Sequence, residues 1–203
     1  EMQDEGRRIN EFLALLGHEL RNPLAPIRNA AALLKAGEAG PSTSRIGDVI
    51  DRQAEHLSRI VDDLLDLGRV NTGKIVVLRE PLDLSAVVAA VAEATRPSTD
   101  RLRQHLDLQL PSAPVPVIGD ATRLTQVVSN LLHNANKFTP PGGHLGVELL
   151  TDGPYAELRV RDDGPGIAPS LLPRVFEPFV QGDRALDRAE GGLGIGLTLV
   201  KKL

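Results

Sequence analysis

The octapeptide GHELRNPL, residues 17–24, sets a histidine, a carboxylate and an amide close together as His18, Glu19 and Asn22. Imidazole is a competent nucleophile near neutral pH, and an adjacent carboxylate can fix its tautomer and take up the proton it loses. A lone exposed histidine usually carries no chemistry, and His56, His105, His133 and His144 keep that reading. His18 differs through its company: the carboxylate follows directly, the amide lies four residues on, and Pro23 and Pro26 come next. Each proline inside a helix removes a backbone hydrogen bond at a cost of about 3 kcal/mol. The sequence offers no packing reason for two of them.

A second set of residues suits a nucleotide. A Walker-type GxxxxGK[ST] loop is absent, and GGLGIGL at 191–197 fails the G-x-G-x-x-G dinucleotide pattern, so phosphates must be held in another way. In TRLTQVVSNLLHNANKF, 122–138, an apolar helical face runs through Leu124, Val127, Val128, Leu131, Leu132 and Ala135. Asn130, Asn134 and Lys137 fall on one side at i, i+4 and i+7. Asparagine is a mediocre helix former, amide oxygen is a hard ligand suited to Mg²⁺, and lysine suits phosphate. Asn134 is the expected metal ligand. RVRDDGPGIAP, 159–169, runs a strand into a turn where Gly164 and Gly166 permit a flat ligand to approach the backbone. A carboxylate there can accept from an exocyclic amine such as adenine N6; Asp162 fits D-x-G-x-G, with Asp163 the second choice. VFEPFVQGDRALDRAEGGLGIGL, 175–197, holds two of the four phenylalanines, Phe176 and Phe179, then charged residues, then Gly192, Gly194 and Gly196. That order predicts a lid hinged on the aromatics and closing over phosphates beside a helix N-terminus. Arg184 and Arg188 are weaker phosphate candidates.

The elements that must position these groups differ along the chain. Ile9, Leu13, Leu16, Leu20, Leu24, Ile27, Ala31 and Leu34 recur at three and four. With Leu16 and Leu20 centring this stripe, His18 points about 180° away, with Arg21 and Asn22 within about 60° of it. The step Leu16–Leu20–Leu24–Ile27 contains a stutter, and the two prolines sit on it, so the helix is expected to bend there. After turn signals at 37–44, Ile46, Ile50, Gln53, Leu57, Ile60, Leu64 and Leu67 keep a coiled-coil seam. A short loop makes the two helices an antiparallel hairpin, and pairing two copies into a four-helix bundle predicts a homodimer. Beyond NTGK (71–74) the runs KIVVLREPLDL, HLDLQL, VPVIGD, HLGVELL and YAELRVRDDG read as strands. Helices are expected over 84–96 and 121–137, with a short one over 169–175. The fold class is therefore α+β, a helical hairpin followed by an α/β layer, with the boundary near 71–74.

Composition narrows the function. Among 203 residues the net charge is −4, which argues against nucleic-acid binding. Cysteine is absent, which excludes disulfides, zinc-thiolate sites and thiol catalysis and suits a reducing interior. No apolar run approaches the ~20 residues of a membrane span, and EMQDEGRRIN is not a signal peptide. The chain starts within a helical pattern and stops at LVKKL without a terminating signal, as a piece of a longer protein would.

GHELRNPL resembles the phospho-acceptor box of the sensor histidine kinases of two-component signalling. The four later motifs, in this order, resemble the N, G1, F and G2 boxes of that family's ATP-binding domain. The resemblance covers residues 8 to 203 and implies a dimerisation and histidine-phosphotransfer domain over 1–72. It implies an ATP-binding α/β sandwich of the Bergerat type over 73–203, a fold shared with gyrase-type topoisomerases, Hsp90 and MutL. Family members continue past LVKKL with a glycine turn and further strands, so this chain is expected to lack those C-terminal strands. By the same resemblance His18 is the phosphorylated residue, Glu19 its general base, and Asn22 the group that orients water in phosphatase action. Asn130, Asn134 and Lys137 lie at Mg²⁺-phosphate and Asp162 at adenine. Implied besides are ATP and Mg²⁺ as cofactors, a response-regulator receiver domain as partner, and cytoplasmic work without membrane contact by this fragment. Two other classes stand beside it: a gyrase-like or chaperone-like ATPase, which needs no histidine box, and a dimeric module that binds nucleotide without phosphorylating or acts chiefly as a phosphatase.

Overall fold

The seam read in the second helix shows how the N-terminal residues fold. Ile46, Ile60 and Leu67 are buried, and Ile50, Gln53, Leu57 and Leu64 are half-buried, on one side of a long helix. In the computed structural model, which describes residues 2–35, 43–71, 77–182 and 193–203, this is α2, Thr43–Asn71. It packs along α1, Met2–Lys35. The α1 helix runs without interruption through Pro23 and Pro26. Pro23 is fully buried, so its ring has the packing partner that the sequence did not reveal. Glu19 and Ala30 share burial with Pro23, whereas Leu13, Leu24, Leu33 and Leu34 are exposed in the single chain, as are Val61 and Leu65 of α2.

The chain divides into two compact units, residues 1–72 with 177–195 and residues 73–176 with 196–203. The second unit begins its regular structure with β1, Glu80–Asp83, later than KIVVLREPLDL suggested; residues 77–79 are not in a strand, and 72–76 lie outside the described residues. Asp83 ends β1 and caps α3, Leu84–Arg101, by accepting from Ser85 N at 3.0 Å. That helix extends past the expected end at Arg96 because Pro97 is exposed near its C-terminus, where the carbonyl it frees can face water. After it come β2, His105–Gln109, β3, Pro116–Gly119, and α4, Ala121–Phe138. β4, His144–Asp152, and β5, Tyr155–Asp162, form a hairpin. The short helix expected over 169–175 is only a 3₁₀ turn, Leu172–Arg174; Pro173 inside a three-residue segment leaves no room for α-type bonding. Gly196–Lys202 forms α5.

Two sheets result. β1 pairs antiparallel with β3, and β4 lies centrally between parallel β2 and antiparallel β5. The parallel β2–β4 pair requires a crossover connection, and α4 supplies its helix. Strand β4 alternates cleanly, with Leu145, Val147 and Leu149 buried. Together with Leu84, Val88, Val91 and Ala92 of α3, and Val128 and Leu132 of α4, they build the core. Aliphatic residues do the whole of this packing, in a chain with four Phe, one Tyr and no Trp. One face of α4 is thereby fixed to the sheet, and its other face is left to present Asn130, Asn134 and Lys137.

Candidate functional site

On the hairpin, α1 exposes His18, Arg21 and Asn22 and buries Glu19. An exposed imidazole is available to a partner, and a carboxylate directly beside it is shielded from water, where its charge acts at lower dielectric. Among the described residues no group of three or more His, Cys, Asp or Glu side chains is placed to hold a metal ion.

In the second unit the site is organised around α4. Asp120 starts this helix: its Oδ1 accepts from Thr122 N at 2.9 Å and Arg123 N at 3.2 Å, and its Oδ2 from Leu78 N at 3.2 Å. Those bonds hold its carboxyl below the usual carboxylate range, the bond from Leu78 contributing most. Val128, Leu132 and Ala135 face the core, which leaves Asn130, Asn134 and Lys137 half-buried on the opposite side. Asn130 Nδ2 donates to Gly196 O at 3.4 Å, joining the middle of α4 to the start of α5. A Cβ on Gly196 would stand 3.4 Å from Asn130 Oδ1, so glycine lets the two segments meet closely. The Asn134 amide makes no hydrogen bond among the described residues. Lys137 Nζ lies 5.1 Å from the Phe138 ring centroid.

The turn after β5 abuts the far end of the same helix. Asp162 Oδ1 accepts from Gly164 N at 2.8 Å, and a Cβ at Gly164 would come within 3.2 Å of Phe138 O. The same Cβ would meet Asp162 Oδ1 first, so glycine lets the turn close on itself beside α4. Gly166 has φ +69°, in the left-handed region open to glycine. Asp163 is otherwise engaged: its Oδ2 accepts from His144 N at 2.9 Å and its own N donates to His144 O at 3.2 Å. It pins the turn to β4 through one carboxylate oxygen, as Asp162 holds Gly164 N through one of its own.

Phe176 is exposed, with Lys201 Nζ 5.5 Å from its ring centroid. Phe179 belongs to the unit of the hairpin, as does Gly194, and Phe179 N donates to Gly194 O at 3.1 Å. Gly194 has φ +68°, and a Cβ there would lie 2.8 Å from Val180 O, so this crossing requires glycine. Gly192, Arg184 and Arg188, and with them most of the expected lid, lie outside the described residues. The structure thus brings Asn130 to Gly196 and the Asp162–Gly164 turn to the end of α4, and it ties Phe179 to Gly194. Sequence reading missed Asp120, Gln104 and Asn136. A helix-start signal at Asp120 ahead of TRLTQ was there to be read; Gln104 had none.

The donor set fits Mg²⁺ and nucleotide. One half-buried amide oxygen without a partner among the described residues, beside a lysine, suits a cation that keeps several waters and takes its other ligands from phosphate. Residues 8–73 match the His Kinase A (phospho-acceptor) domain, and residues 119–203 match the histidine kinase-, DNA gyrase B-, and HSP90-like ATPase domain. The chain is 38% identical over 194 residues to the probable sensor histidine kinase TcrY of Mycobacterium tuberculosis, covering 95% of this chain and 40% of TcrY. It is 41% identical over 197 residues to the signal transduction histidine-protein kinase/phosphatase MprB of Mycobacterium avium, covering 92% of this chain and 36% of MprB. The solved structure of full-length ShkA in complex with AMPPNP superposes with a TM-score of 0.63 at 30% identity, over 95% of this chain and 40% of ShkA. The chain belongs to the sensor histidine kinases of two-component signalling. It spans 40% or less of the length of the two curated relatives.

Proposed function

We propose that this chain is the kinase core of such a sensor: it phosphorylates His18 from ATP and passes the phosphoryl group to an aspartate of a response-regulator receiver domain. Residues 1–72 serve as the dimerisation and phosphotransfer domain, and 73–203 as the ATP-binding domain. A homodimer forms through the hairpin; the exposed leucines of α1 and α2 are the surface it would bury. An imidazole nitrogen of His18 attacks the γ-phosphorus, a P–N bond forms as the bond to the β,γ-bridging oxygen breaks, and ADP leaves. Glu19 accepts the imidazole proton. Lys137 and the Asn134 amide hold the phosphate end, Asp162 accepts from the adenine amine, and Asn130 keeps the start of α5 against α4. Asn134 would hold Mg²⁺ through its amide oxygen, and the ion would supply neutralisation of the phosphate charge. Most of the rate comes from positioning and charge neutralisation. Asn22, exposed one turn beyond His18, orients water for the reverse duty, dephosphorylation of the regulator. That duty is supported by the likeness to MprB, a kinase/phosphatase by name. Among the described residues no helix is long and apolar enough to cross a membrane. ATP as donor favours the cytoplasm as the place of work.

The observation that carries this reading is an exposed histidine next to a buried carboxylate on a helical hairpin, in one chain with an asparagine helix bound to a glycine-rich helix start. A hydrolytic ATPase has no use for the first half. The test is incubation of the purified chain with γ-labelled ATP. The label is expected on protein, lost in acid and stable in base; release of labelled phosphate with none bound to protein supports the ATPase instead.

A further inference from the structure

Asn136 is a third asparagine in α4, two residues past Asn134, and it points the other way, into a buried polar cluster. Asn136 is 9% exposed, Gln104 5%, Thr139 3% and Thr99 1%. Asn136 Oδ1 accepts from Ser98 Oγ at 3.0 Å, and Asn136 Nδ2 donates to Gln104 Oε1. Gln104 Nε2 donates to two main-chain carbonyls, Asn136 O at 2.9 Å and Thr139 O at 2.8 Å. The carbonyls at the end of a helix have no partner within it, and here a glutamine from 32 positions away supplies one. Its own backbone N donates to Thr99 O at 2.9 Å, which anchors the glutamine to the end of α3.

Buried amides with matched partners, as those of Gln104 and Asn136 have here, fix geometry more than they add stability, because apolar residues of similar volume would fill the space without the need for matched partners. What this network fixes is the last turn of α4. That turn carries Lys137, lies directly after Asn134, and sets Phe138 O, against which the Gly164 turn rests. We infer that Gln104 and Asn136 are positioning residues of the nucleotide site: they set the pitch of the last turn of α4 and so the placement of the Asn134 amide and the Lys137 ammonium toward Mg²⁺-phosphate. This rests on the nucleotide reading above. Groups that orient a ligand from behind commonly govern affinity at a metal site nearly as strongly as the ligand itself.

The test measures ATP binding by the full chain calorimetrically, once with Mg²⁺ and once with EDTA. Wild type is expected to bind more tightly with Mg²⁺. Asn136→Asp is isosteric but turns a donor into an acceptor facing Gln104 Oε1, and Gln104→Met keeps the volume while releasing both carbonyls. Each is expected to weaken Mg-ATP binding by about tenfold while changing binding in EDTA far less, so that the Mg²⁺ advantage collapses. Ser98→Ala removes a hydroxyl whose one hydrogen is shared between Asn136 Oδ1 and Thr95 O and is expected to cost about threefold; it carries the test if the other two unfold. A merely structural network would lower the unfolding temperature and leave the Mg²⁺ advantage intact below it, and that result overturns the inference. A wild-type chain that binds no ATP overturns the nucleotide site itself, and this inference with it.

Discussion

Single ionisable groups set how the hairpin responds to acid. Asp63 on α2 has its carboxyl raised to about 6, chiefly by burial; Arg59 opposes this, and Asp66 and Asp62 add to it. Because the folded form holds this proton more tightly than the unfolded chain, it binds more protons between about pH 4 and 6. The contribution of Asp63 is therefore fully present at low pH and is lost as pH rises through 6. Above that, a half-buried charge opposes folding. Asp63→Asn is expected to raise hairpin stability at pH 7 by on the order of 2 kcal/mol and to change little near pH 4. Urea unfolding of both forms at the two pH values checks it, and an equal effect at both would contradict the assignment. Candidate residues could be nominated from the sequence where they lie within a short motif: His18 with Glu19, or Asn130 with Asn134. It was not legible where a role depends on a distant partner. Nothing near Asp163 says that its carboxylate serves His144 N on another strand, and nothing near Gln104 says that it caps α4.

At the scale of elements, periodicity identified the helices well because it reports which face is buried. The α2 seam and the alternation in β4 are direct consequences of one-sided burial. Helix ends were less legible. Pro97 suggested a stop, but an exposed proline near a C-terminus disturbs little, so α3 runs on to Arg101. The prolines of α1 taught the opposite lesson, since Pro23 lies in a helix and is also packed. Its missing N–H leaves Glu19 O without its usual helical donor, directly behind His18. Pro23→Ala restores that donor and is expected to stiffen α1 below His18. The ratio of autophosphorylation to regulator dephosphorylation should then shift by about threefold or more, the equivalent of about 0.7 kcal/mol. Parallel assays of both reactions decide it, and unchanged rates in both would show that Pro23 serves packing alone.

For the whole molecule, the class of fold could be read from the order of textures, a coiled-coil hairpin and then mixed strands and helices. The grouping of residues 177–195 with the hairpin could not, because it follows from contacts between segments far apart in sequence. The proposed function divides the labour: one unit offers the exposed imidazole of His18, and the other would hold ATP by amides, a lysine and glycine turns. The most direct measurement locates the phosphoryl group. The chain is incubated with Mg-ATP, digested at alkaline pH and mapped by mass spectrometry, alongside His18→Gln. Phosphate on the peptide bearing His18, and none anywhere in the His18→Gln digest, is the predicted result. Phosphate on another residue, or phosphorylation that persists in His18→Gln, would contradict it.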